Sequence, residues 1–160
     1  MALGYREALS NIERGKVSPV YLIYGEEEYL QEKLIQKIRE VWLTDVLPEF
    51  NESKEDGSQL TGAQIADMAN QLPFMAPRRL IVVDKPACLP FAASKTKNKK
   101  DEQTSQQDEK VEKEYEDGEE NTEGRKSDQA LLDYLANPAA TTCLIFWCHE
   151  KNPDKRGKLI

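Results

Sequence analysis

The chain has 160 residues, a length that suits one domain with a sizeable buried core. Its formal net charge of −7 argues against a freestanding nucleic-acid-binding module, which carries a basic face. Cys88, Cys143 and Cys148 are odd in number and match neither CxxC spacing nor a disulfide framework, so reduced thiols in a cytoplasmic protein are expected. No N-terminal stretch reads as a signal peptide and no apolar run is long enough to span a bilayer, so no membrane partner is expected.

Tyr5, Ala8, Leu9 and Ile12 share one helical face, and Gly15 is placed to end that helix. Val20-Tyr21-Leu22-Ile23-Tyr24 reads as a strand, with Gly25 at the turn. Glu26, Glu27 and Glu28 fall in the first turn of the next helix, where acids favour the positive end of the dipole. That helix runs on through Leu30, Leu34, Ile38 and Trp42. A weak strand is expected near Phe50, then a turn at Glu55-Asp56-Gly57, with Ser58 as N-cap of a helix carrying Leu60, Ile65, Met68, Ala69 and Leu72.

Pro73 stops that pattern, because it lacks a backbone donor and disfavours helix at the preceding residue. Phe74 and Met75 sit just past the break, Pro77 fixes the chain again, and Arg78 and Arg79 precede the apolar run Leu80-Ile81-Val82-Val83. That run reads as a strand covered on both faces. The residues themselves leave two readings of Phe74 and Met75 open: a cap on the core, or a protruding hydrophobic tip. Most large apolar residues are inside, which favours the first.

From Ala92 to Lys126 the chain is almost devoid of apolar residues and dense in both charge signs. It cannot bury enough surface to offset ordering entropy and reads as a disordered, solvated insertion. Its leading Lys95, Lys97, Lys99 and Lys100 suggest a nucleic-acid contact as the alternative. Order resumes at Ser127, an expected N-cap, with Leu131, Leu132 and Leu135 on a helix ended by Asn137-Pro138. In Thr141 to Cys148, Leu144, Phe146 and Cys148 point one way and Cys143, Ile145 and Trp147 the other. Both sides are apolar, so this strand is expected at the centre of a sheet with helices on each face. Strands alternating with helices give an α/β fold with a parallel sheet. The ordered domain is expected to comprise 1–91 and 127–160, cut short at a helix start near Lys158-Leu159-Ile160.

In a parallel α/β domain the turn after the first strand is the natural ligand position, beside a helix N-terminus. Nucleotide hydrolases place GxxxxGK[ST] there, for backbone donors, a phosphate-binding lysine and a magnesium-binding hydroxyl. Here the stretch is Gly25-Glu26-Glu27-Glu28-Tyr29-Leu30-Gln31-Glu32-Lys33, with no second glycine, no Gly-Lys pair and no following hydroxyl. Three carboxylates stand where a triphosphate would lie. Asp84 has the position of a magnesium-binding acid, but Lys85 follows it, so it reads as a remnant. His149 beside Cys148 and Glu150 lacks the further ligands that a zinc site needs, and no catalytic residue, metal or cofactor is expected. The alternative is a nucleotide-binding enzyme with an atypical phosphate loop around Gly25 and Asp84.

Three stretches, PVYLIYGEEEYLQEKLIQKIR, QLPFMAPRRLIVVDK and LLDYLANPAATTCLIFWCHEKNPDKRGKLI, resemble in order and spacing the N-terminal part of the delta subunits of bacterial DNA polymerase III, in the clamp-loader family. The resemblance implies an AAA+-type P-loop NTPase scaffold that has lost ATPase activity, with further domains beyond Ile160 that contact the other clamp-loader subunits. It implies binding and opening of the sliding clamp (the beta subunit) in DNA replication, with primer-template DNA met only as part of the complex. The family's clamp contact is a hydrophobic tip, often Leu-Phe, before the strand matching Leu80–Val83. Carried over, the clamp-binding residues are Phe74 first, Met75 second and Leu72 third, although this chain has Phe-Met after Leu72-Pro73. The resemblance thus favours exposure of the tip. Arg78 and Arg79 are expected to position the loop, to meet acids on the clamp, or to be plain solvated charges.

Overall fold

Strand β4 (Thr142–His149) is the axis of the fold. The structure, a computed structural model, describes residues 3–44, 47–89 and 129–149; Ser127, the polar stretch 92–126 and residues 150–160 lie outside them. Parallel to β4 run β1 (Val20–Gly25) on one side and β3 (Arg79–Asp84) on the other, and β2 (Glu52–Asp56) pairs with β3. The sheet order is β1-β4-β3-β2. The alternation read from the sequence sets the layers. Cys143, Ile145 and Trp147 face a core formed by Ala8 and Ile12 of α1 (Tyr5–Glu13) and Leu34 and Ile38 of α2 (Glu28–Trp42). Leu144, Phe146 and Cys148 face a second core formed by Ile65 and Ala69 of α4 (Gly62–Asn70) and Leu131 and Tyr134 of α5, helical over 129–136. A four-residue helix, α3 (Pro48–Asn51), leads into β2.

Helix α1 ends as expected. Gly15 has φ +76, its N–H donates to the Ile12 carbonyl, and Lys16 N–H donates to the Asn11 carbonyl. These are the two bonds of a Schellman cap, and the left-handed residue between them favours glycine. Gly57 has a different reason to be glycine. Its N–H donates to the Asp84 carbonyl at 2.6 Å, and a Cβ there would stand 2.5 Å from Val83 Cγ1.

Four local expectations change. The weak strand near Phe50 is instead a helical turn, with Pro48 at its first position and the strand beginning at Glu52. The N-cap of α4 is Thr61 rather than Ser58. Thr61 has Gln64 three residues on, and the two exchange the reciprocal bonds of a capping box, while Ser58 N–H is taken by the Asp56 carboxylate. Leu60 and Leu72 fall outside the helix that their spacing suggested. In α2 only Glu28 of the three glutamates lies in the first turn, with Glu27 at the cap.

No described helix is long and apolar enough to cross a membrane. Burial holds the thiols of Cys143 and Cys148 protonated, with pKa values pushed up to about 12 from 9.0. Burial also raises the phenols of Tyr21 and Tyr134. A folded-state pKa above the unfolded value adds stability that is complete below the unfolded pKa and is lost as pH rises through the folded one. The urea midpoint is therefore expected to fall steadily from about pH 9 toward about 12. A flat alkaline profile would contradict the burial of these groups.

Candidate functional site

Because all four strands are parallel, their carboxyl ends gather at one end of the sheet and the segments entering β2 and β3 gather at the other. Register places Gly25 opposite His149, Asp84 opposite Trp147 and Asp56 opposite Asp84. This carboxyl end is where an α/β domain ordinarily takes a ligand. Here several of its polar groups are bonded to one another. Gly25 turns at φ +139, and its carbonyl accepts from Gln31 Nε2 at 2.9 Å. Trp147 Nε1–H in turn donates to Gln31 Oε1 at 2.8 Å, so a buried glutamine ties the turn to β4.

Asp84, read from the sequence as the remnant of a magnesium-binding acid, is engaged as well. His149 Nε2 lies 2.6 Å from its Oδ1, and Lys54 Nζ lies 4.0 Å from its Oδ2. The other imidazole nitrogen, Nδ1, lies 3.0 Å from Glu28 Oε1, and the ring stacks at 4.3 Å on Trp147. The sequence set His149 beside Cys148 and Glu150; the structure sets it between Asp84 and Glu28, joining β3, β4 and α2. Among the described residues no group of three or more His, Cys, Asp or Glu is arranged to hold a metal ion.

The opposite end carries the apolar surface. Helix α4 stops at Asn70, and Gln71 is already extended (φ −65, ψ 137) ahead of Pro73. The next side chains point outward: Leu72 is 82% exposed, Phe74 56% and Met75 89%. Of the two readings the residues allowed, exposure is the one the structure shows. Yet the segment is held firmly. Phe74 N–H donates to Asn51 Oδ1 at 2.7 Å, and Asn51 Nδ2 donates to the Phe74 carbonyl at 3.0 Å. Met75 adopts φ +47, a left-handed conformation uncommon for a side chain of this kind. On the strand side, Arg79 Nη1 donates to Gln71 Oε1 at 2.9 Å, Trp42 Nε1–H donates to the Arg79 carbonyl at 2.9 Å, and the Arg78 guanidinium stacks over the Trp42 ring at 4.6 Å. Both arginines thus have partners within the domain.

The structure adds residues that the sequence reading passed over. Phe50, 60% exposed, packs its ring 5.4 Å from that of Phe74, and Leu47 is exposed one helical turn earlier. They arrive here because β2 and β3 are neighbours with Glu52 opposite Leu80, so the segments upstream of each strand lie side by side. The available signal was Leu47-Pro48-Glu49-Phe50, a proline-started turn whose apolar residues fit no strand alternation.

The model of the family "DNA polymerase III, delta subunit" matches residues 21–117. The chain is 29% identical over 149 residues to DNA polymerase III subunit delta of Bacillus subtilis (strain 168), covering 93% of this chain and 35% of that protein. It thus spans about a third of the length of that curated relative. The solved structure of the Bacillus subtilis DNA clamp loader delta protein superposes with a TM-score of 0.69 at 26% identity, covering 98% of this chain and 38% of that one. With four parallel strands in the order β1-β4-β3-β2 and helices on both faces, the fold is AAA+-like. The chain belongs to the DNA polymerase III delta subunit family.

Proposed function

We propose that this chain is the clamp-engaging, AAA+-like part of a clamp-loader subunit of the bacterial replicative DNA polymerase III. It binds the ring-shaped sliding clamp through Phe74, Met75 and Leu72 and favours the open ring, without hydrolysing ATP itself. The observation that carries this reading is the exposure of Phe74 and Met75 on a segment bonded firmly from behind. Exposed anchors on a fixed backbone lose little conformational freedom on binding, which is how a small apolar tip becomes a strong contact. Opening a ring needs a binder with higher affinity for the open form, since only differential affinity shifts an equilibrium.

The carboxyl end of the sheet supports the non-catalytic part. A triphosphate there would meet the glutamates after Gly25, and the acid available for magnesium is already paired with His149 and Lys54. ATP binding by other subunits would then govern presentation of the tip. Those subunits are met through domains outside this chain, primer-template DNA is met only within the complex, and the protein works in the cytoplasm. Residues 1–91 and 127–160 form the working domain, and 92–126 is an insertion in it.

The test is equilibrium binding of the purified sliding clamp to this chain immobilised on a surface. Saturable binding in the micromolar range or tighter is expected. No binding overturns the proposal. Tight magnesium-dependent binding of labelled ATP by the chain would instead favour the enzyme alternative.

A further inference from the structure

We infer that α3 is the second half of the clamp-docking surface: Phe50 meets the clamp beside Phe74, and Asn51 fixes the two aromatic side chains relative to each other. The inference rests on the reading of the tip as clamp-binding, and it adds a second chain segment to that contact. The rings of Phe50 and Phe74 touch, 5.4 Å apart and tilted by 42°, and each keeps more than half of its surface in water. A pocket that takes Phe74 out of water must therefore close over the flank of Phe50. Two adjoining aromatic side chains on a rigid base are the composition in which binding energy concentrates.

Asn51 is fully buried, yet its amide serves no neighbour in β2. Oδ1 accepts from Phe74 N–H, and Nδ2 donates to the carbonyls of Phe74 and, at 3.3 Å, Leu47. One side chain thus grips both sides of the Phe74 residue and also the start of α3. A helix of four residues has no stability of its own, so something outside it must fix its place. The left-handed φ of Met75, next in the chain, likewise persists only where its surroundings determine it. Asn51 is therefore a positioning residue: it acts on the clamp through Phe74 and Phe50, and does not itself reach the partner.

The experiment measures affinity of this chain for the purified sliding clamp, for wild type, Phe50→Ala, Asn51→Asp, Phe74→Ala, and each of the first two combined with Phe74→Ala. Phe50→Ala is expected to weaken binding about tenfold or more, the scale of a contributing anchor. Tyr29→Ala removes an equally exposed aromatic beside the Gly25 turn and should bind as wild type. Asn51→Asp keeps the acceptor for Phe74 N–H and loses the donor to its carbonyl. It should weaken binding about fivefold or more alone and by a smaller factor once Phe74 is gone, the non-additivity expected of residues acting as one unit. Hydrogen exchange at the Phe74 amide should speed up about tenfold in Asn51→Ala, which removes its acceptor, with no clamp present.

Wild-type affinity in Phe50→Ala overturns the second anchor. An equal loss from Asn51→Asp with and without Phe74, or unchanged exchange at Phe74, overturns the positioning role. A wild-type chain that fails to bind the clamp sinks the reading of the tip and this inference with it, a result that no variant is needed to recognise.

Discussion

Replacing Ile145 by alanine is expected to cost this domain about 2–5 kcal/mol, a large part of the roughly 5–15 kcal/mol that holds a domain folded. Ile145 lies in the middle of the central strand, paired with Tyr21 of β1 on one side and Val82 of β3 on the other. Its side chain is wholly out of water and faces the core that holds Ile12 and Ile38, which are equally buried. Hydrogen-bonded strands on both sides limit how far the backbone can relax into the space left by the lost atoms. The cavity term therefore adds to the transfer term. Urea unfolding followed by far-UV circular dichroism would measure the change. A loss below about 1 kcal/mol would mean that the layer between the sheet and the α1–α2 pair is loosely packed, contrary to the structure.

Ile145 illustrates what the sequence states plainly. Eight residues of β4 with apolar groups on both faces admit few placements besides the centre of a covered sheet, and the two faces separate into the two cores as the alternation requires. Gly15 was equally legible, because the helix stripe ends just before it and a left-handed cap needs a residue without Cβ. What failed was local competition. Phe50 lies in a turn of four residues, too short for any periodicity to separate helix from strand. Ser58 and Thr61 are both good caps, and the choice fell to the one with a glutamine three residues on.

The candidate site was legible in part, and the reason is physical. Composition favours burial for phenylalanine and methionine wherever they stand, so residues alone argued the wrong way for Phe74 and Met75; only the family resemblance turned the expectation outward. Asn51 lies 23 positions from Phe74, and His149 lies 65 from Asp84. Such partners are joined by strand pairing, and nothing in the local sequence of either residue announces the other. The two ends of the sheet are nonetheless consistent. Where a nucleotide would sit, the polar groups are turned on each other; where a core residue would be expected, apolar groups are turned to water and braced from behind.

Removing both Phe74 and Met75 side chains is expected to abolish clamp binding while leaving the fold intact. Each, once buried in a pocket of the partner, contributes about 1.5–3 kcal/mol, so truncating both should weaken affinity by about a hundredfold to ten-thousandfold. In the free domain the same side chains do little. Met75 is almost fully in water, and Phe74 leans mainly on Phe50 rather than on either core. The bonds from Asn51 reach the Phe74 backbone, which alanine preserves. Stability of Phe74→Ala with Met75→Ala should thus stay within about 1 kcal/mol of wild type, against the several lost at Ile145. Single replacements should rank Phe74 above Met75 above Leu72. Binding to the purified clamp and urea unfolding, run on the same preparations, separate the outcomes. A double variant that unfolds would make these side chains part of the core, and one that binds as well as wild type would place the clamp contact elsewhere on the chain.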